Sequence, residues 1–411
     1  MNKIVLSALV AATLGTVAAT AGATTFYQDR NGQVFTTAAE GRVAINLEEA
    51  SKVLNAVEAP KEKTKSGFFD RFHAKGDLRL RQEVIDQDKF TSVPGDKDKD
   101  RERYRFRYGV NVDITDNILL ETAISSGKYN PTSGNVSFKD DESIQDYFVD
   151  ELKIDIADIK YSFDNSWVRV GKAKHHIYRA IGTQLVWDND IRLEGVNYGY
   201  KADNSMIRLG VNRLHREKGH KGATAKDINI FVAQYVNTQK LDNAKINLGA
   251  AYYLYDGVKG SSTPYDSEEK GNTVDSNDLY AEDYGIAEGF VELKLKDVMG
   301  KPFKVAAILA YNTLANDDNI GYDFSVQYGE TKNVGDWKAA ATYRDVEKDA
   351  VFGAHNDSDF SGGGTDSKGY YVKAKYKFAK NVDIAGWWNW SKLGNTEIDY
   401  HRTQLDVILK F

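Results

Sequence analysis

Arg103-Tyr104-Arg105-Phe106-Arg107-Tyr108-Gly109-Val110-Asn111-Val112-Asp113-Ile114 is the stretch that decides the fold. Aromatic and aliphatic residues hold the even positions, and charged, polar and glycine residues the odd ones. A helix would scatter both sets around its axis. A strand points successive side chains to opposite faces, so this segment has one apolar and one polar side. The same alternation runs through Asp77–Val84, Gly321–Gly329 and Tyr370–Phe378. From about residue 73 onward, about sixteen such segments of roughly ten residues follow one another. Ten residues is the length that crosses a bilayer at the tilt of a barrel strand.

Composition agrees. Among 411 residues there are 24 Tyr, 18 Phe, 6 Trp and 34 Gly, but only 5 Pro and no Cys. The mean hydropathy of −0.52 excludes a bundle of apolar membrane helices. Without Cys there is no disulfide scaffold, thiolate metal site, cysteine nucleophile or lipobox. A net charge of −6 shows no global sign of nucleic-acid binding.

The connections alternate in length. Short ones fall at 116–117, 164–166, 202–204, 242–243, 299–301, 333–335 and 380–381. Long polar ones cover about 87–100, 126–147, 174–190, 216–226, 256–283, 313–319, 346–367 and 392–399. Short periplasmic turns opposite long external loops are expected of an outer-membrane barrel and not of a soluble sandwich. Aromatics gather at strand ends, as at Tyr161/Phe163, Trp167, Tyr198/Tyr200, Tyr252, Trp337, Tyr376/Phe378 and Trp388/Trp390, where interfacial girdles lie. The fold expected is all-β: a transmembrane antiparallel β-barrel of about 16 strands over 73–411, preceded by a short N-terminal periplasmic segment.

Residues 1–23 read as an export signal, with a basic tip at Lys3, an apolar stretch from Ile4 to about Ala19, and Ala21-Gly22-Ala23 at the cleavage point. Residues 24–72 read as a small periplasmic unit. Strands flank Arg30-Asn31-Gly32 in a hairpin, a short helix opens at Asn46, and Lys61–Gly67 forms a linker.

Phe411, ending a strand in which Leu405, Val407 and Leu409 alternate with Asp406, Ile408 and Lys410, looks like the signal read by the barrel assembly machinery. Val168-Arg169-Val170-Gly171-Lys172, with Leu185-Val186-Trp187-Asp188-Asn189-Asp190 and Leu193-Glu194-Gly195-Val196, resembles the putative porins of Gram-negative outer membranes. The resemblance covers nearly all of the chain from about residue 65. It implies a water-filled channel, commonly a homotrimer, set in outer-membrane lipid and lipopolysaccharide.

In a barrel of this size, selectivity comes from the inward polar face and from any loop folded into the lumen. Arg79 and Arg81 on the first strand and Arg103, Arg105 and Arg107 on the second form the sharpest inward cluster. Folding the hairpin about its loop places Arg79 roughly across from Tyr108 and Arg81 across from Phe106. Two roles fit: a basic constriction wall, or a structural wall paired with Asp77, Glu83, Asp113 and Glu121. Lys373, Lys375 and Lys377, with Lys338, Arg344 and Arg208, add further inward cations and suggest a mild anion preference. The connection 174–190 is the candidate constriction loop, because Tyr178, Arg179, Ile181, Leu185 and Trp187 make it too apolar for free solvation. If its acids Asp188 and Asp190 face the arginines, a transverse field crosses the pore.

Other signals are weak. His175-His176 reads as a polar loop pair rather than a metal site. Asp96, Asp98 and Asp100 imitate a calcium loop without its glycine or closing Glu. Ser361-Gly362-Gly363-Gly364-Thr365 reads as a flexible loop tip, since it lacks the Lys and following helix of a phosphate loop. The function expected is passive diffusion of ions and small hydrophilic solutes, with no cofactor and no metal. The alternatives are a channel selective for a sugar or organic anion, and, less favoured, a barrel enzyme. An enzyme needs a Ser–His pair on the lipid-facing wall, and His401 and Ser391 come nearest. A plugged active transporter needs a plug far longer than 24–72.

Overall fold

The computed structural model describes residues 26–29, 34–35, 38–46, 67–87, 98–127, 130–138, 152–214, 227–264, 269–394 and 398–411. The expected export signal (1–23), hairpin tip (30–32), helix after Asn46, most of the 61–67 linker, Asp96 and the 216–226 loop lie outside these residues.

Two compact units divide between Asp70 and Arg71. In the first, β1 (Phe26–Gln28) pairs antiparallel with β2 (Val34–Phe35), Tyr27 opposite Phe35, as the Asn-Gly hairpin predicts. A third strand, β3 (Val43–Ile45), covers the other edge of β1.

The second unit is a closed antiparallel barrel of sixteen strands. The first quarter contains β4 (Phe72–Gln87), β5 (Lys99–Asp113), β6 (Ile118–Ser126), the two-residue β7 (Val136–Ser137) and β8 (Leu152–Phe163). Next come β9 (Ser166–Lys174), β10 (Arg192–Lys201), β11 (Ser205–Leu214), β12 (Ile228–Lys240) and β13 (Ala244–Asp256). Then follow β14 (Tyr284–Val298), β15 (Lys301–Asn312), β16 (Ile320–Gly329) and β17 (Trp337–Val346). The last are β18 (Ser367–Ala379), β19 (Val382–Leu393) and β20 (Ile398–Lys410). Each long strand pairs with the next, and β20 pairs with β4 to close the ring; β7 is an extra piece on β5. The seven predicted short turns fall between the strands where the sequence places them, and the described strand ends bound the long connections in the same order.

Local chemistry explains the turns. Met299 and Gly300 both have positive φ (53° and 83°), the primed-turn geometry whose twist matches the two strands it joins. Gly171 sits at φ 130°, and a Cβ there would lie 2.2 Å from the Ala157 carbonyl oxygen, so β8 and β9 approach this closely only because the residue is glycine.

The two faces separate by parity. On β20, Leu405, Val407, Leu409 and Phe411 are exposed on the outside, while Arg402, Gln404 and Asp406 are buried within. Tyr161, Phe163, Trp337, Tyr376 and Phe378 stand on the outer face near the short-turn end, as a girdle requires. Trp167 does not join them. It shares the inward parity of Arg169 and packs against His176 (5.0 Å) and Arg208 (5.2 Å). Val291 lies outward at the middle of β14. Val291→Lys should therefore cost about 2 to 4 kcal/mol in denaturant unfolding from lipid vesicles. A loss under about 0.5 kcal/mol would place that face in water rather than hydrocarbon.

Candidate functional site

The inward face of β4, β5 and β20 carries the arginine cluster, in a register shifted from the expected one. Arg79 lies opposite Arg105, and Arg81 opposite Arg103; Tyr108 faces Gly76 and Phe106 faces Leu78. Cross-strand partners share a face, so an inward arginine had to meet an inward residue, not an outward aromatic. Carboxylates interleave the cations. Asp77 accepts from Arg105 (2.8 Å) and Arg107 (2.8 Å). Glu83 holds Arg101 (2.6 Å), Arg103 (3.3 Å) and Arg402 (2.5 Å), and Asp406 holds Arg81 in a two-pronged bond (2.6 and 2.8 Å). Of the four acids expected as partners, Asp77 and Glu83 serve. Glu121 turns to Arg169 and Lys75, and Asp113 to His73. Arg79 reaches a carboxylate only at 3.8 Å (Asp406) and donates instead to the Asn135 side chain in the connection between β6 and β7.

The connection after β9 does fold inward. Tyr178 donates to Glu292 of β14, and its backbone amide donates to Gln234 of β12 (2.7 Å). Thr183 donates to Asp323 of β16. Asp190 crosses to the arginine wall and contacts Arg107 (3.1 Å) and Arg105 (3.6 Å). Burial alone would raise its carboxyl, but Arg105 and Arg107, then Arg192 and Arg79, pull it down to about 2. Asp188 does not face the arginines. It accepts from the Ser358 amide and hydroxyl, both at 3.0 Å. Arg179 donates to the Trp187 carbonyl (2.9 Å) and to Asn189, which braces the loop internally.

Ser358 belongs to a second inward loop, the connection between β17 and β18, although its polar sequence is that of an external loop. The run 361–365, expected as a flexible tip, is packed here: Ser361 and Thr365 are buried, and the Gly364 amide donates to Asn356 (3.1 Å). Asp357 meets Arg344 (3.0 Å), which also grips Asp323 at 2.7 and 2.8 Å. Asp359 lies between Arg402 (2.9 Å) and Arg81 (3.5 Å). Backbone bonds tie the two loops together: Asp188 N donates to His355 O, and Asp357 N to Gln184 O.

Between the loops and β12–β17 lies an apolar core. Trp187 is 1 % exposed and touches Tyr253 (5.3 Å), Tyr255 (6.0 Å), His175 (6.0 Å) and His355 (5.7 Å). His175 is thus no solvated polar residue. Its Nε2 lies 3.0 Å from the Asp188 carbonyl, and among the described residues no His/Asp/Glu group is arranged to hold a metal. His401 and Ser391 stand on opposite faces, outward and inward, so they form no pair.

Burial pushes the His355 imidazole down to about 3, and burial and then Arg179 push His175 well below its usual range. Released from the core, His355 would titrate near 6.5. Between these values the released loop binds a proton that the packed loop does not, so packing strengthens with rising pH and weakens as pH falls below about 6.5. The change is at most about 1.4 kcal/mol per pH unit for one group. The Trp187 emission, read as the difference from a Trp187→Phe protein, should shift between pH 7 and pH 4.5. An invariant difference spectrum contradicts this.

The family described as putative porin matches residues 86–304 and 289–411. No curated protein matches the chain. Among solved structures, Pseudomonas putida OprB at high pH superposes with a TM-score of 0.54 at 10% identity, covering 84% of this chain and 95% of that one. Salmonella typhi OmpF in complex with daunomycin gives 0.49 at 11%, with coverage of 83% and 97%. A triple mutant of the Rhodopseudomonas blastica porin gives 0.47 at 12%, with coverage of 83% and 100%. At such identities the OprB likeness speaks for the barrel alone, and the closed barrel is what the strand pairing shows independently. With its family matched over most of its length, the chain belongs to the putative porins, channel-forming β-barrels of the outer membrane.

Proposed function

We propose that this protein is a passive outer-membrane channel for ions and small hydrophilic solutes, with a preference for anions. The observation that carries the preference is the charge surplus on the arginine wall. Arg79, Arg81, Arg101, Arg103, Arg105, Arg107 and Arg402 face Asp77, Glu83, Asp190, Asp359 and Asp406, seven cations against five anions. Arginines stay charged at all physiological pH values, so the surplus is permanent. Lys373 and Lys375 extend it along β18. Asp190, Arg179, Trp187, Asp188 and Tyr178 act as the constriction segment that narrows the lumen toward this wall. On this reading residues 1–23 are removed on export, 24–72 stay periplasmic, Phe411 is the assembly signal, and three copies associate in lipid and lipopolysaccharide. The low-dielectric neighbourhood of the inward loops makes each unpaired cation more effective than it would be in bulk water.

A channel selective for one sugar or organic anion is the second reading, favoured by aromatics stacked beside inward cations. Lys373 lies 4.6 Å from the Tyr371 ring centre and 5.9 Å from that of Trp387. Reversal potentials across a potassium chloride gradient test the main reading. The wild-type potential should take the sign of chloride preference. Arg79→Gln combined with Lys373→Gln and Lys375→Gln should move it toward zero, because none of the three anchors the constriction loop. A cation-selective wild type, or a variant with unchanged potential, overturns the assignment.

A further inference from the structure

Below the constriction loop, at the short-turn end of the barrel, lysines occupy strand after strand. Lys240 lies directly opposite Lys245, Lys245 opposite Lys294, and Lys294 opposite Lys304, a continuous row over β12–β15. Two strands on, Lys338 lies opposite Lys375, with Lys373 one inward step away. All of them point into the lumen, because side chains of the same parity on the same strands (Val236, Asn247, Glu292, Ala306, Thr342 and Tyr371) are buried inside. Like charges placed directly opposite on a sheet are destabilising, and four in a row do nothing for the strand pairing.

Carboxylates offset only part of this charge. Glu292 lies 3.2 Å from Lys294, and Asp383 gathers Lys375 (2.8 Å), Lys377 (3.7 Å) and Lys410 (2.6 Å). Lys245, Lys304, Lys338 and Lys373 have no carboxylate within 4 Å among the described residues. Neutral polar groups lie beside them. Lys294 donates to the Tyr178 hydroxyl (3.0 Å), so the roof of the arc is the constriction loop itself. Beside Lys373, the buried Trp387 Nε1 has no partner among the described residues.

We propose that this arc is a binding subsite for multivalent oxyanions, solutes carrying two or more phosphate or carboxylate groups, on the periplasmic side of the constriction. The inference rests on the anion-channel reading and deepens it. Lysine suits the task because its ammonium is a mobile point charge on a long stem, able to meet phosphates and carboxylates of varied geometry. A multivalent anion bridging several strands removes repulsion that a single chloride cannot.

The test is current block in planar bilayers, with pyrophosphate or citrate added to one side. Pyrophosphate on the short-turn side should reduce the chloride current at lower concentration than from the loop side. Lys245→Gln/Lys304→Gln/Lys338→Gln should raise the half-blocking concentration about tenfold or more, while Lys332→Gln, exposed in the turn after β16, should leave it unchanged. Citrate behaving alike supports recognition by charge. Block by pyrophosphate alone narrows the ligand to phosphates. Heat-modifiable gel mobility confirms that the triple variant is folded, and the single Lys304→Gln protein provides a milder step in the same direction. Equal block in wild type and variants, or no block while chloride selectivity persists, overturns the subsite and leaves the channel standing. A wild type without chloride selectivity removes the reading beneath it.

Discussion

Every amide in the barrel wall must find its partner within the wall, because hydrocarbon offers none. An unpaired group there costs several kcal/mol. The constraint explains why strand pairing runs unbroken around the ring, with only local register shifts at 123/124, 295/298 and 377/379. It also explains the seam. Where β20 returns to β4, Gly76 N donates to Phe411 O at 2.7 Å and Phe411 N to Gly76 O at 3.1 Å, so the last residue is tied into the first strand. Glycine suits position 76, since a Cβ would lie 2.8 Å from the Arg107 carbonyl oxygen as well as 2.5 Å from the Phe411 ring. With the backbone satisfied in the wall, side chains are free to divide into a lipid face and a lumen face.

The lumen face is not uniform. Along β12–β17 two inward loops bury a dry aromatic core around Trp187, whereas the β4, β5 and β20 side is lined with ion pairs. The loops are held where dry core meets charge, through Asp190 and Asp359 on the arginine side and Asp357, Thr183 and Tyr178 on the other. Breaking a buried pair such as Arg344 with Asp323 leaves an uncompensated charge, a change usually costing about 3 to 5 kcal/mol. Positioning the constriction and balancing the wall charge are therefore one arrangement.

Much of this was legible in the residues. Period-two alternation revealed the strands and their number, and turn residues separated short connections from long ones. The apolar content of 174–190 pointed to the loop that bonds to β12, β14 and β16. Three features were hidden for separate reasons. The register of β4 against β5 depends on the 88–98 connection, whose length does not specify pairing, although shared-face parity excluded Arg79 opposite Tyr108. The place of Trp167 near a strand end suggests the girdle, yet its parity with Arg169 and Gly171 puts it inside. The second inward loop carries Val351, Phe352 and Phe360, the same signal as the first. Its acids masked it, because they are polar toward partners distant in sequence: Asp357 for Arg344, and Asp359 for Arg81 and Arg402.

The bond between Arg81 and Asp406 joins residues 325 positions apart, and that between Arg402 and Glu83 joins residues 319 apart. Contacts of such separation form only after a large loss of chain freedom, which is why topologies dominated by them assemble slowly. The wall arginines nearest the seam acquire their counter-ions when the last strand arrives, so until then the nascent wall presents bare guanidiniums. Sealing the ring and quenching that charge thus coincide, and a half-made cylinder is disfavoured on both counts.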